Sequence, residues 1–216
     1  MTTMSRVVRE PRQAPSASRL LAGPLALAAA GVLFVLYPVL RPYGDASPAS
    51  AAGVFASGEW LVAHLSAVAG FVLVAAALLT LRDRIGGRLA AAALGTFTAG
   101  VALVLPYYGA EAFALHALGA TVPDAAGLTV LADAVRTGPV QISLFGVGLV
   151  LLAVGAVLAA VAVGRSGARA RWSGAVFALG FVLYLPQFYA APGLRIAHGV
   201  LLGIGCLLLA AELRRR

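Results

Sequence analysis

The sequence predicts an all-α integral membrane protein, a bundle of six transmembrane helices with both termini cytoplasmic, and three observations predict it. First, 61% of the 216 residues are hydrophobic and only 11% are charged, whereas a soluble domain is about 45–50% apolar and about 25% charged. Second, the apolar residues fall into runs near 20 residues long. A helix of about that length crosses the hydrocarbon core, where each backbone N–H and C=O must be paired internally. Third, all sixteen basic residues are arginine, and they gather at the ends of the apolar runs. That is the topology pattern of membrane proteins, whereas nucleic-acid binding needs a basic face on a folded domain, so no nucleic-acid partner is expected. The bilayer itself is the expected partner, in the plasma (inner) membrane. The absence of lysine beside abundant Ala, Gly, Leu and Arg reads as the coding bias of a GC-rich bacterial genome. The single cysteine, Cys206, lies in the last apolar run and reads as a small buried hydrophobe.

Residues 1–19 carry Arg6, Arg9, Arg12 and Arg19 with Pro11, Pro15 and several serines, and show no apolar period. They read as a disordered basic cytoplasmic tail. Residues 20–213 read as one membrane domain. Its first span, 20–40, is longer than the 7–15 apolar residues of a signal peptide. A polar loop follows, and Ser57 is placed to cap the second span, 60–81, with Glu59 in its positive first turn. The basic turn of Arg82, Arg84 and Arg88 leads to the third span, 89–105. There Ala91, Gly95 and Ala99 form a small-residue stripe that would let two helices approach closely. Residues 106–138 form the longest inter-span segment, read as an extracytoplasmic lid of two short helices. The first covers about Ala110 to Leu118. The second opens on a Thr121-x-x-Asp124 capping pattern and carries Leu128, Leu131 and Val135 on one face. The fourth span is 140–163, the fifth 172–190 and the sixth 194–211. In the sixth, Gly199 and Gly203 offer a close-packing face that could also support an oligomer.

Counting arginines on alternate sides tests this arrangement. The tail, the turns at 82–88 and 165–171 and the C-terminus hold thirteen; the other three loops hold only Arg41, Arg136 and Arg195. Basic residues mark the cytoplasmic side, so both termini are expected inside. The odd-numbered spans also end alike, in Tyr37-Pro38, Pro106-Tyr107-Tyr108 and Tyr184-Leu185-Pro186. Tyrosine prefers the interface and proline ends a span, which accounts for the echo as well as internal repetition does.

This topology puts all three histidines on the outer side. His64 lies five residues inside the second span, about 7 Å deep at about 1.5 Å per residue, His198 near the outer start of the sixth, and His116 in the lid. Glu59, Glu111, Tyr107, Tyr108, Arg41 and Arg195 share that side. Ionisable groups inside spans are costly and commonly face a cavity or a partner. Three readings follow. In the first, His64, His198 and His116 bind a transition metal ion, zinc or copper, or ligate haem, with Glu111 as a further ligand or base. In the second, a metal-free pocket lined by Trp60, Tyr107, Tyr108 and Arg195 takes a lipid or small hydrophobic molecule, and Glu111 or Glu59 works with His64 in acid–base chemistry. In the third, the protein is a transporter or an accessory membrane subunit, and the histidines are structural or relay protons. No His-Glu-x-x-His, Gly-x-Ser-x-Gly, phosphate-cradling loop or Cys-x-x-Cys favours any of them. Spacing adds a constraint: Glu111 and His116, like Glu59 and His64, are five residues apart. On a regular helix they diverge by about 140° and cannot face one ion unless the segment bends.

Overall fold

A computed structural model describes residues 17–167 and 172–215, and it is all-helical, 88% helix with no strand among the described residues. The helices are α1 (Ala17–Leu40), α2 (Pro48–Phe55), α3 (Gly58–Ile85), α4 (Gly87–Gly109), α5 (Leu115–Thr121), α6 (Ala125–Thr137), α7 (Pro139–Arg165), α8 (Trp172–Val182) and α9 (Pro192–Arg214). Residues 1–16 of the expected tail, and Arg169 and Arg171 of the expected basic turn, lie outside the described residues.

Among the described residues five stretches are long and apolar enough to cross a membrane: Leu21–Leu40, Gly58–Ile85, Gly87–Thr121, Pro139–Arg165 and Pro192–Arg214. The expected fifth span, 172–190, differs. Its helix α8 has 11 residues and stops at Val182; a turn then leads to a 3-10 segment, Pro186–Tyr189. Proline has no N–H and its ring clashes with the carbonyl four residues back, which for Pro186 is Val182. The helix ends at Val182, whose carbonyl Pro186 cannot bond, and the Tyr184 N–H turns to Phe181 instead.

Although short, α8 fills a full place in the architecture. Around the bundle the packing order is α1, α3, α4, α7, α8, α9 and back to α1, a closed ring of six. Glycine sets the closest approaches in that ring. A Cβ on Gly100 of α4 would sit 2.8 Å from the Gly148 carbonyl of α7, and one on Gly155 of α7 would sit 2.7 Å from the Phe97 backbone. Gly199 and Gly203 of α9 face Phe34, Pro38, Gly31 and Val35 of α1, so the Gly-x-x-x-Gly step is used within the chain. The Ala91, Gly95 and Ala99 stripe instead points outward, with open space beside Gly95; Ala93, Phe97 and Gly100 form the packed face of α4.

Aromatic side chains fill the middle of the ring. Phe34 meets Phe71 and Phe181 edge-on at 5.2 and 5.9 Å, and Phe181 meets Phe97 at 5.0 Å. The tyrosines ending the odd-numbered runs converge above them: the Tyr108 and Tyr184 hydroxyls are 2.8 Å apart, and the Tyr37 ring lies 5.7 Å from that of Tyr108.

A cap of α2, α5 and α6 closes one end of the ring around its own small core of Ala51, Phe55, Trp60, Leu115, Leu128 and Ala132. Helix α2 lies in the segment expected to be a polar loop. Helix α5 is not a separate lid helix but the continuation of α4 through a π-helical turn, Ala110–Ala114. Ser57 caps α3 as expected, accepting from the Trp60 N–H at 3.2 Å. Helix α6 is capped by Asp124, which accepts from the Ala126 and Gly127 N–H groups, rather than by Thr121, whose hydroxyl bonds back to Ala117 inside α5. Leu128 of α6 is buried and Leu131 is exposed, so the inward face is Leu128, Ala132 and Val135.

Candidate functional site

Where the ring meets the cap there is a cavity of about 200 Å³, lined by side chains from α1, α3, α4, the π-turn, α6, α7, the 3-10 segment and α9. It holds most of the charge at this end: Arg41, Asp45, Glu111, Arg136 and Arg195, with His64. Tyr37, Tyr107, Tyr108, Phe145 and Phe188 supply aromatic walls. Tyr107 and Phe145 stack with centroids 4.0 Å apart.

Glu111 sits at the centre of the polar network. The π-turn that carries it adds one residue to a helical turn, a feature frequent at functional sites, and aims its carboxylate into the cavity with 9% of the side chain exposed. Arg136, from the last turn of α6, grips it with a two-pronged fork, Nε to Oε1 at 2.7 Å and Nη2 to Oε2 at 2.9 Å. The same guanidinium reaches Asp45 at 2.9 Å, and Arg41 reaches that same Asp45 oxygen at 2.8 Å. Burial would raise the Asp45 carboxyl, but the two guanidiniums outweigh it and hold the group below its ordinary value. Burial likewise opposes the charge on Arg136, and the bonds and charges of Glu111 and Asp45 more than restore it.

Trp60 orders this network from below. Its indole N–H donates to the Glu111 carbonyl at 2.7 Å, satisfying a backbone group near the distorted turn. Arg41 lies over its ring at 5.0 Å and Arg136 at 5.7 Å, so the buried cations also rest on an aromatic face.

His64 is 2% exposed. One turn below Trp60, it places Nδ1 2.7 Å from the Trp60 carbonyl. A carbonyl only accepts, so Nδ1 carries a proton; in its neutral form His64 turns the Nε2 lone pair toward Glu111 Oε2, 3.7 Å away. Two acceptors thus face each other across a gap longer than a hydrogen bond. A proton-bearing group placed between them would satisfy both.

The remaining expected residues are distributed as follows. His198 donates Nε2–H to the Gly180 carbonyl at 2.7 Å and lines a smaller recess behind Tyr37 and Tyr184. His116 donates Nδ1–H to the Phe55 carbonyl at 2.8 Å and holds the cap together. The three histidines are therefore not gathered, and among the described residues no group of three or more His, Cys, Asp or Glu side chains is arranged to hold a metal ion. Glu59 is exposed at the start of α3, outside the cavity. Glu111, Tyr107, Tyr108 and Arg195 line it, while Trp60 supports it from the cap core. Asp45, Arg136, Tyr37, Phe145 and Phe188 were missed by sequence reasoning. A signal for part of this set was present: Arg41, Arg136 and Arg195, the three arginines that the charge count assigned to the arginine-poor side, all line the cavity.

Comparison of the chain with protein-family models, with curated proteins and with solved structures finds no match to any of them.

Proposed function

We propose that this protein is a six-segment plasma-membrane protein with both termini cytoplasmic, whose outward-facing cavity binds a small hydrophobic or lipid-like molecule by its polar head and acts on it by acid–base chemistry. The observation that carries this reading is the His64–Glu111 pair: the Nε2 ring nitrogen and a carboxylate oxygen 3.7 Å apart, both buried, on the wall of a cavity large enough for a small molecule. A cavity of about 150 Å³ holds benzene, so about 200 Å³ suits a ring-sized group or a head group.

In this role His64 Nε2 accepts a proton from an O–H or N–H of the bound molecule. The Trp60 carbonyl fixes the tautomer and the ring, and Glu111 stabilises the imidazolium that forms. The Arg136 fork fixes the Glu111 carboxylate in place beside His64. The aromatic walls keep water out and offer the apolar part of the molecule a surface. Transport across the bilayer has less support, because the ring beneath the cavity is filled by Phe34, Phe71, Phe97 and Phe181 in edge-to-face contact.

The two tryptophans make this testable. Trp172 is 74% exposed and Trp60 is fully buried against His64, with centroids 4.2 Å apart. In a Trp172→Phe protein Trp60 alone reports on the cavity. Its emission is expected to change saturably on titration with small ring-bearing or single-chain molecules carrying hydroxyl, amine or carboxyl heads. No saturable response to any of these heads would exclude the reading.

A further inference from the structure

We propose, building on that reading, that the head group is a carboxylate and that Arg195 is the residue that binds it. The argument starts from the charges lining the cavity. Three guanidiniums, Arg41, Arg136 and Arg195, face two carboxylates, Asp45 and Glu111. Both carboxylates are committed: Arg136 occupies both oxygens of Glu111, and Asp45 is shared between Arg136 and Arg41. Among the described residues Arg195 has no carboxylate partner. The cavity therefore lacks one negative charge.

Arg195 is nevertheless held in place. Its Nε donates to the Ala190 carbonyl at 3.0 Å and its Nη2 to the Phe188 carbonyl, while the guanidinium carbon lies 5.8 Å over the Tyr43 ring. Those two bonds use two of five donors and fix the plane of the fork. They neutralise no charge, since carbonyls contribute only dipoles. A half-buried guanidinium so positioned, beside two acids already taken, is suited to receive an anion. A buried charge is costly unless paired, and the cost is recovered when an anion arrives.

Size and shape select the anion. A charge deficit of one calls for a monoanion, and the planar guanidinium matches the planar carboxylate. The walls formed by Tyr107, Phe145 and Phe188 suit an apolar or aromatic body, and about 200 Å³ suits a molecule near the size of benzoic acid rather than a phosphodiester carrying two substituents. With its carboxylate on Arg195, such a molecule would lie within the same cavity as His64 Nε2.

The test uses the full-length Trp172→Phe protein in detergent and three probes of nearly equal shape: benzoate, benzyl alcohol and benzylamine. Benzoate is expected to change Trp60 emission saturably, with an affinity about tenfold or more above that of the other two. Arg195→Gln is expected to weaken benzoate by about tenfold or more while leaving benzyl alcohol unchanged, and Arg195→Lys to fall between. Equal affinity for benzoate and benzylamine, or benzoate binding unaltered in R195Q, overturns the carboxylate assignment; binding of benzyl alcohol alone does so while leaving the pocket itself standing. If no probe binds, the pocket reading fails with it. Should R195Q not fold, the three-probe comparison on unaltered Arg195 decides. Displacement of bound benzoate by oleate supplied in phosphatidylcholine vesicles assigns the carboxylate to a fatty acid, and lack of displacement assigns it to a water-soluble acid.

Discussion

Arg136 and Glu111 form a parallel two-bond ion pair at 2.7 and 2.9 Å, and through it the last turn of α6 is fastened to the π-turn between α4 and α5. The pair joins α6, which buries Leu128 and Ala132 and exposes Val130 and Leu131, to the distorted helix beneath it. The cap therefore depends on a polar lock as well as on its apolar core.

Removing that lock should free the cap before it harms the ring. Arg136→Met leaves Glu111 and Asp45 without their shared cation. Breaking a fully buried pair costs about 3–5 kcal/mol; with Arg136 at 20% side-chain exposure, about 1–3 kcal/mol is expected after allowing for solvent. Arg136→Lys should lose part of this, since an ammonium cannot make the two-pronged contact. Limited proteolysis at the 122–124 connection measures cap release, and faster cleavage in R136M than in R136K than in the parent is the expected order.

Acid should loosen the same lock, and the sign follows from Asp45. Its folded value lies below the ordinary 3.8 because Arg41 and Arg136 outweigh its burial. A depressed carboxylate contributes stability that is fully present above its unfolded value and is lost as pH falls through the folded one. Cap attachment followed by Trp60 emission should hold steady from pH 7 to about 5 and weaken below the ordinary carboxylate value. Asp45→Asn should remove the part of this acid response that Asp45 supplies.

Two glycines of α4 should respond oppositely to alanine. Gly100→Ala forces a Cβ to within 2.8 Å of α7 backbone atoms, which cannot swing aside, and should cost about 1–3 kcal/mol in detergent thermal melts. Gly95→Ala meets nothing within 4 Å and should be neutral or stabilising by up to about 1 kcal/mol, the helix-propensity gain. Equal melting of both variants would contradict the α4–α7 contact.

Sidedness can be read by labelling intact cells with a membrane-impermeant maleimide. The native Cys206 is buried, so background should be low. A cysteine replacing Ala126 on the cap should react from outside, and one replacing Ile85 at the far end of α3 should not. Labelling at position 85 from outside would reverse the proposed orientation.

Legibility in the sequence divided along physical lines. The long helices were readable because apolar composition over about 20 residues reflects a local need, internal backbone pairing in lipid. Ser57 as a cap was readable for a similar reason: its partner lies three residues away. Helix α2 was not, since its eight residues, Pro48–Phe55, are mostly alanine, glycine and serine with little apolar period. The break in the fifth segment had a visible cause in Pro186, but a run of aromatic and aliphatic residues on both sides concealed it.

The site was half legible. Placing His64, Glu111, Tyr107, Tyr108 and Arg195 at one end needed only topology. Their partners required more, because an ionisable side chain's role depends on helix rotation, at about 100° per residue. The sequence by itself determined an apolar helical bundle with its arginines at the ends of the apolar runs and a minority of polar groups between them, since these follow from composition and the solvent each segment demands. Only the tertiary structure decided that Glu111 pairs with Arg136, 25 residues on, that His64 turns its Nε2 to Glu111 while His116 and His198 bond to separate carbonyls, and that Arg195 is held by the Ala190 and Phe188 carbonyls at the cavity wall. One extra residue in the π-turn resets the facing of every side chain beyond it, and no local pattern encodes which neighbour it will then meet.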